Sequence, residues 1–291
     1  MKQTKTYTFI DLFAGIGGFH IAMNNIGAEC VFASEIDKYA RETYAKNFYK
    51  LSKHLFDNNL FNDDITKIKP NDIPDFDILC GGFPCQPFSQ AGYKKGFEDD
   101  RGNLFFNIAK IIDVKRPKAF FLENVRHLLK HDNGNTFQTI KSIINELGYS
   151  LYYQIIKASD FGLPQLRPRI FIVGFRNDNL KSFSFPESQP LNMTMSDIWG
   201  GECNREIGFT LRVGGRGSSI EDRRNWDSYL VNGEVKRIEV KEAKKMQGFP
   251  EDFIFPCSNT QSMKQLGNSV AIPAVQATAE KIIEYLQVLE N

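Results

Sequence analysis

The stretch TYTFIDLFAGIGGFHIAMNNI, residues 6–26, decides the fold of this chain. Its first part, Thr6 to Leu12, is an aromatic and β-branched run that predicts a buried strand. Gly15, Gly17 and Gly18 follow as a turn without bulky side chains, and the spacing of apolar residues from Gly18 to Ile26 predicts a helix. A strand, a glycine turn and a helix in this order let the main chain approach a ligand at the start of the helix.

The alternation of strand and helix signals continues to residue 175 and predicts a doubly wound, mostly parallel sheet. Asp37 is suited to cap the second helix, and Gly27 and Gly148 are suited to end helices. Leu51 to Asn62 does not fit the alternation and is interpreted as an insertion. The predicted strands are Thr6–Leu12, Glu29–Ser34, Phe76–Cys80, Ala119–Leu122, Ser150–Lys157 and Ile170–Phe175, and the predicted helices are Gly18–Ile26, Asp37–Phe48, Asn103–Val114 and Asn135–Leu147.

A second, smaller region follows Phe175, where the alternation stops. Pro186 and Pro190 lead into a glycine- and arginine-rich stretch from Thr210 to Asn225, which indicates a domain boundary. Regular character returns at Val240 to Met246. The predicted helix from Pro273 to Leu289 has an apolar stripe suited to packing back on the first domain.

The composition is that of an ordinary globular protein, with 291 residues, 42% of them hydrophobic, and a formal net charge of +1. The five cysteines, at positions 30, 80, 85, 203 and 257, contain no Cys-x-x-Cys pair, which argues against a zinc site and a disulfide framework. The amino terminus has no signal-peptide core, and no apolar run is long enough for a membrane span. We therefore expect a cytoplasmic protein without metal and without membrane contact.

Cys85 and Glu123 are a candidate nucleophile and a candidate acid. Cys85 follows Pro84, which has no N–H and a fixed φ, so we expect the cysteine to lie in a turn with its sulfur facing a cleft. Glu123 ends the apolar run from Phe120, at the carboxyl edge of a sheet where ligands bind in open α/β folds. Taken alone, Cys85 could be a small buried apolar residue, and Glu123 could cap the following helix.

Several further motifs complete the pattern. In chain order the motifs are Phe9-Ile10-Asp11-Leu12-Phe13-Ala14-Gly15-Ile16-Gly17-Gly18, Glu35, Asp64-Ile65, Pro84-Cys85-Gln86, Arg101-Gly102-Asn103-Leu104-Phe105, Glu123-Asn124-Val125, Gln165-Leu166-Arg167-Pro168-Arg169 and Gly267-Asn268-Ser269-Val270. Together and in this order they resemble the DNA (cytosine-5)-methyltransferases of bacterial type II restriction and modification systems. The resemblance covers nearly the whole chain.

The resemblance implies a catalytic domain of residues 1–185 completed by residues 264–291, and a small target-recognition domain of residues 186–263. It also implies S-adenosylmethionine as cofactor, with S-adenosylhomocysteine as product. His20 stands where a dinucleotide fingerprint needs a third glycine, and Glu35 suits a ribose. Gly17 and Gly18 could instead only permit tight packing. The implied cofactor-binding residues are Phe13, Ala14, Gly15, Gly17, Gly18, Glu35, Ile36, Asp64, Ile65, Pro84, Leu104, Asn268 and Ser269.

The implied chemistry begins with addition of a thiolate at C6 of cytosine, which activates C5 for attack on a methyl group. Cys85 is the candidate nucleophile, and Glu123 donates to N3. Arg169 holds the base edge and the acid, and Arg167 supports neighbouring groups, although such arginines are often only solvated surface. The base that removes the C5 proton is not evident, and water is the default.

The target base must leave the duplex to reach such a site. We expect the loop from Gln86 to Asn103 to fold over the DNA, although it could be merely a flexible surface loop. Arg212 and Arg216 are candidates for reading guanine within a target of roughly four to six base pairs. The expected DNA-binding residues are Gln86, Ser89, Lys94, Lys95, Arg101, Thr210, Arg212, Gly214, Gly215, Arg216, Arg223 and Arg224.

These observations predict a monomeric bacterial enzyme that methylates double-stranded DNA, with a cognate restriction endonuclease as functional counterpart. A tRNA cytosine-5 methyltransferase of the same family is an alternative with the same catalytic parts. A catalytically silent DNA-binding protein is disfavoured by the complete set of catalytic motifs. An NAD-dependent oxidoreductase is disfavoured by His20.

Overall fold

The computed structural model describes residues 6–84 and 104–290, and its centre is a seven-stranded sheet. The strands lie in the order β3-β2-β1-β4-β5-β7-β6. Their bounds are β1 Thr8–Leu12, β2 Glu29–Ser34, β3 Phe61–Asn62, β4 Ile78–Gly82, β5 Ala119–Val125, β6 Tyr152–Ile156 and β7 Arg169–Phe175.

One strand, β7, runs antiparallel to the other strands and lies between β5 and β6. The pairs among β1 to β5 are parallel, whereas β7 pairs antiparallel with both β5 and β6. A reversed strand begins at the edge where its parallel neighbours end. Arg169, the first residue of β7, therefore lies opposite Val125, the last residue of β5.

Helices cover both faces of the sheet, because successive strand residues point to opposite sides. On β5, Phe121 packs with one face and its neighbour Phe120 with the other. The helices of this part are α1 (Gly18–Asn25), α2 (Lys38–Phe48), α3 (Lys53–Asp57), α4 (Leu104–Lys115) and α5 (Asn135–Glu146). The predicted fold class is confirmed, and Asp37 caps α2 as predicted by accepting from the amides of Tyr39 and Ala40.

The insertion from Leu51 to Asn62 extends the sheet. It contains α3 and the short strand β3, in which Phe61 pairs with Ala33 of β2. The His54 ring nitrogen Nε2 lies 2.7 Å from the carbonyl oxygen of Cys30 on β2. The segment thus covers an edge strand, which would otherwise expose unpaired main-chain groups.

The second region contains a short helix, a hairpin and three more helices. They are α6 (Met195–Trp199), β8 (Ser228–Val231), β9 (Glu234–Arg237), α7 (Val240–Met246), α8 (Asn259–Asn268) and α9 (Ile272–Leu289). The last helix returns to the first domain, where Tyr7 donates to Glu290 and Asn25 donates to Gln276. The division at residues 186 and 263 remains a prediction. No helix in residues 6–84 or 104–290 has the length and apolar character of a membrane span.

Buried polar side chains around His20 connect α1 to α2 and to Ser52, next to the glycine turn. His20 is fully buried in α1, stacks on Phe48 with ring centroids 4.2 Å apart, and has its Nδ1 2.6 Å from the Tyr44 hydroxyl. Its Nε2 lies 3.2 Å from the Ser52 hydroxyl. Burial lowers the pKa of His20 to about 3, and the nearby His54 acts in the same direction.

We predict a pH-dependent stability contribution from His20. Its pKa is lower in the folded state than in the unfolded chain, so its contribution is present above the unfolded pKa and is lost as the pH falls. Between about pH 7 and about pH 5, the wild type should lose about 2 kcal/mol of unfolding free energy relative to His20→Phe. Denaturant unfolding of both proteins at several pH values measures this difference, and a pH-independent difference would contradict the prediction.

Candidate active site

The carboxyl ends of β1, β2, β4 and β5 and the start of β7 surround one cavity of about 410 Å³. This is the edge of an open α/β sheet at which ligands bind. The cavity brings together most of the described residues that were predicted to be catalytic or cofactor-binding, and none of those predicted to bind DNA. Those that line it are Phe13, Gly15, Glu35, Ile36, Pro84, Leu104, Glu123, Arg167, Arg169, Asn268 and Ser269.

Of the three glycines in the turn, one lines the cavity and two lie at tightly packed positions. Gly15 has φ +56° and lines the cavity, and no heavy atom lies within 4 Å of the position of a Cβ there. A Cβ on Gly17 would lie 2.2 Å from the Phe48 ring, and one on Gly18 would lie 2.6 Å from Val270. These two glycines permit the close packing of α1. The cavity lining does not include Gly17, Gly18 or Ala14, and their expected contact with the cofactor stays a prediction.

At one side of the cavity, the carboxylate of Glu35 joins the glycine turn after β1 to the turn between β2 and α2. It accepts hydrogen bonds from the Gly15 amide at 2.8 Å and the Asp37 amide at 2.7 Å. Burial raises the pKa of Glu35, and the hydrogen bonds from Asp37 and Gly15 oppose that rise. A carboxylate has about four acceptor positions, so Glu35 retains capacity to accept from a bound ligand.

Asp64 and Ile65 do not line the cavity. The Asp64 carboxylate accepts from the amide and the hydroxyl of Thr66, at 3.0 and 2.7 Å, and so caps a short 3₁₀ turn. Ile65 is buried in the core. The expected contact of Asp64 with an adenine amino group stays a prediction.

Glu123 and Arg169 form an ion pair at the opposite side of the cavity. Arg169 Nε lies 2.9 Å from Glu123 Oε1, and both side chains are largely buried. The reversal of β7 explains the pair, because it places the start of β7 beside the end of β5. Burial raises the pKa of Glu123, although the charges of Arg169 and Arg167 oppose the rise. A carboxyl group with a raised pKa can hold a proton and donate it.

Asn124 and Gly82 shape the approach to Glu123. Asn124 Nδ2 donates to the Phe83 carbonyl at 2.8 Å, which fixes the chain just before Pro84. A Cβ on Gly82 would lie 3.6 Å from Glu123 Oε2. Asn124 belonged to a recognised motif, but no sequence signal indicated that its amide holds the neighbouring strand end. Cys85 lies outside the described residues, as do Gln86, Ser89, Lys94, Lys95 and Arg101.

Arg167 lines the cavity and supports neighbouring main-chain groups, and its expected part in catalysis stays a prediction. The residue is 2% exposed, and its guanidinium donates to the main-chain carbonyls of Leu211, Gly267 and Ser269. Its own amide donates to the Thr210 hydroxyl at 3.1 Å. Arg167 therefore joins the recognition segment to the segment that carries Asn268, and acts by positioning.

The family model of C-5 cytosine-specific DNA methylases matches residues 7–213 and 202–284 of the chain. The Type II methyltransferase M.SsoII of Shigella sonnei is 43% identical over 98% of this chain and 82% of its own length. The Type II methyltransferase M.HhaI of Haemophilus parahaemolyticus is 39% identical over 97% of this chain and 95% of its own length. The resemblance inferred from the motifs is confirmed.

Two solved structures share the fold. DNMT2 of Spodoptera frugiperda superposes with a TM-score of 0.71 at 20% identity, over 98% of this chain and 100% of that chain. The methyltransferase EhMeth of Entamoeba histolytica superposes with a TM-score of 0.71 at 19% identity, over 97% of this chain and 99% of that chain.

The cavity fits S-adenosylmethionine, the cofactor of this family. Phe13 and Leu104 supply apolar walls, and Ile36 leaves 70% of its surface exposed at the cavity, where a flat apolar ring can cover it. We propose that Glu35 accepts from the ribose hydroxyls. We also propose that Asn268 and Ser269 lie at the methionine end.

We predict that Glu35→Gln weakens binding of S-adenosylhomocysteine by about 10-fold to 100-fold, because the charged acceptor becomes neutral and one of its two oxygens is replaced by an NH₂ donor. Isothermal calorimetry measures the affinity. Glu29→Gln is the matched control, since Glu29 is an exposed carboxylate at the other end of β2. Equal affinities of Glu35→Gln and the wild type would show that this carboxylate does not bind the cofactor.

Proposed function

Because this chain belongs to the C-5 cytosine-specific DNA methylase family, we infer that it methylates carbon 5 of a cytosine within a short double-stranded DNA sequence. The observation that carries this inference is the position of the Glu123–Arg169 pair. It lies in the same cavity as the glycine turn and Glu35. One cavity can thus hold a methyl donor and a cytosine edge together.

The reaction needs a nucleophile, because C5 of cytosine does not attack a methyl group unaided. We propose that the Cys85 thiolate adds at C6 and makes C5 nucleophilic. S-adenosylmethionine supplies an electrophilic methyl group bound to a sulfonium sulfur. When the methyl group is transferred to C5, the rest of the cofactor leaves as a neutral thioether. Loss of the C5 proton to water then allows the Cys85–C6 bond to break, which restores the aromatic ring and the thiolate.

Glu123 supplies the acid. Addition at C6 drives negative charge toward N3 of the ring, and a proton donated by Glu123 stabilises that charge. Burial raises the pKa of Glu123, which favours the protonated carboxyl group that this role needs. Arg169 holds the carboxyl by its Nε. We propose that Arg169 also contacts the base edge.

The cavity also requires that the cytosine leave the duplex. A stacked base exposes neither ring face, so the target nucleotide must be extruded into the cavity. We propose that the segment after Pro84 closes over the DNA, with Gln86 or Ser89 filling the vacated stack. Lys94, Lys95 and Arg101 would neutralise phosphates.

The biological role that this supports is protection of host DNA. The relatives M.SsoII and M.HhaI are bacterial Type II methyltransferases. We propose that this protein acts as a monomer in the bacterial cytoplasm and marks the sites of a cognate restriction endonuclease, without a stable complex between the two.

Methyl transfer from labelled S-adenosylmethionine tests the function directly. The protein is incubated in parallel with bacterial genomic DNA and with tRNA, and 5-methylcytosine is mapped by sequence context. Label in DNA at one short sequence is the expected result. Label confined to tRNA would support the RNA-directed alternative instead, and label in neither would overturn both.

We predict that DNA with 5-fluorocytosine at the target traps the wild-type protein covalently, because fluorine at C5 cannot leave as a proton. Cys85→Ser should form no trapped complex and should transfer no methyl group, while still binding DNA and cofactor. Gel shift under denaturing conditions measures trapping. Cys203→Ser, a half-buried free thiol away from the cavity, is the matched control and should be trapped like the wild type.

A trapped complex with Cys85→Ser would contradict the assignment of the nucleophile. Loss of trapping in Cys203→Ser would do so as well.

A further inference from the structure

We propose that Arg212 is the arginine that selects a base pair of the target, and that Arg216 instead fixes the shape of the loop that carries it. The proposal rests on the proposed function and deepens it. We call residues 212–217 the recognition loop. From sequence, Arg212 and Arg216 are equivalent candidates on either side of Val213, Gly214 and Gly215, but their surroundings differ.

The main chain at Arg212 is fixed against the cavity. Gly267 lines the cavity, and a Cβ there would lie 2.7 Å from the carbonyl carbon and oxygen of Arg212. Just before it, the Leu211 amide donates to Gln165 Oε1 at 3.0 Å, and the Leu211 carbonyl accepts from Arg167 Nη1 at 3.2 Å. The Cα of Arg212 is therefore held at a set place beside the pocket for the extruded base.

The side chain of Arg212, in contrast, is free to bind. Arg212 is exposed, and within residues 6–84 and 104–290 its guanidinium has no hydrogen bond or ion pair. A fixed backbone limits the entropy lost on binding, and an unbound guanidinium breaks no protein contact when it meets DNA. Such a residue is suited to selecting a base.

Arg216 is engaged within the protein. Its Nη2 donates to the Ile238 carbonyl at 2.6 Å and to Glu239 Oε1 at 3.1 Å, and its Nε lies 3.6 Å from Asp227 Oδ2. Asp227 is fully buried and also accepts from the Gly217 amide at 3.2 Å. Withdrawing Arg216 would weaken the compensation of a buried carboxylate, which is costly. Arg216 therefore fixes the conformation of the recognition loop.

The other arginines of the segment are weaker candidates. Arg224 is paired with Asp222 at 2.7 Å. Arg223 is exposed, but no contact in the described part of the chain ties it to the cavity. The extruded cytosine fixes the register of the protein on the duplex, so the reading residue must be rigidly related to the cavity.

The hydrogen-bond donors of a guanidinium indicate which base it recognises. Arginine donates two parallel hydrogen bonds to O6 and N7 of guanine in the major groove, and this pairing discriminates against other bases. We therefore assign Arg212 to a guanine close to the methylated cytosine. Val213, which is 49% exposed, lies beside it on the loop.

A panel of duplexes tests the assignment. The mapped target and all variants with one base pair changed are methylated under single-turnover conditions by the wild type, Arg212→Ala, Arg212→Lys, Arg216→Ala and Arg223→Ala. For both Arg212 variants, discrimination at one G·C pair should fall by about 5-fold to 150-fold, while discrimination elsewhere is retained. Arg212→Lys keeps the positive charge and loses only the bidentate hydrogen-bond donor. It therefore separates base recognition from electrostatic attraction to phosphate.

Arg216→Ala should instead lower the melting temperature and slow methylation of every duplex by a similar factor. The proposal is overturned if both Arg212 variants keep the wild-type discrimination at every pair, or if Arg216→Ala or Arg223→Ala alone relaxes one pair. A wild-type protein that methylates none of the duplexes would overturn the proposed function itself, which is a distinguishable failure.

Discussion

The hydrogen bonds of the buried Arg167 guanidinium are the interaction on which the position of the recognition loop relative to the cavity depends. The guanidinium donates to carbonyls at Leu211 and at Gly267, which lie 44 and 100 residues further along the chain. An arginine side chain carries five N–H donors in a rigid plane, so it can hold two segments in one geometry. Its charge is tolerated because the polar main chain surrounds it. The recognition loop, the segment of Asn268 and the start of β7 are thereby positioned relative to one another.

That relation explains how a small cavity can serve two ligands. Glu35 and the glycine turn stand on one side, and Glu123 with Arg169 on the other. The two sides come from parallel strands and from one reversed strand, which meet at the same sheet edge. A donor methyl group and the edge of a base can therefore approach each other without any movement of the sheet.

Local sequence signals predicted the fold and the sheet edge at which the cavity lies, and the family resemblance supplied many of its residues. Apolar runs ending at Leu12, Ser34 and near Glu123 placed their last residues at one edge, and the structure confirms this arrangement. The separate roles of Arg167, Arg212 and Arg216 were not predictable, because each depends on partners far away in sequence, such as Gly267 for Arg212 and Asp227 for Arg216. The packing role of Gly17 and Gly18 likewise depends on Phe48 and Val270.

The central claim is that one cavity holds the cofactor and an extruded cytosine at the same time. A crystal structure of the protein with S-adenosylhomocysteine and a target duplex containing 5-fluorocytosine tests it most directly. The account predicts an extruded base with N3 within hydrogen-bonding distance of Glu123, C6 bonded to the Cys85 sulfur, and the cofactor ribose at Glu35. A base that stays stacked in the duplex, or a cofactor bound outside this cavity, would contradict the account.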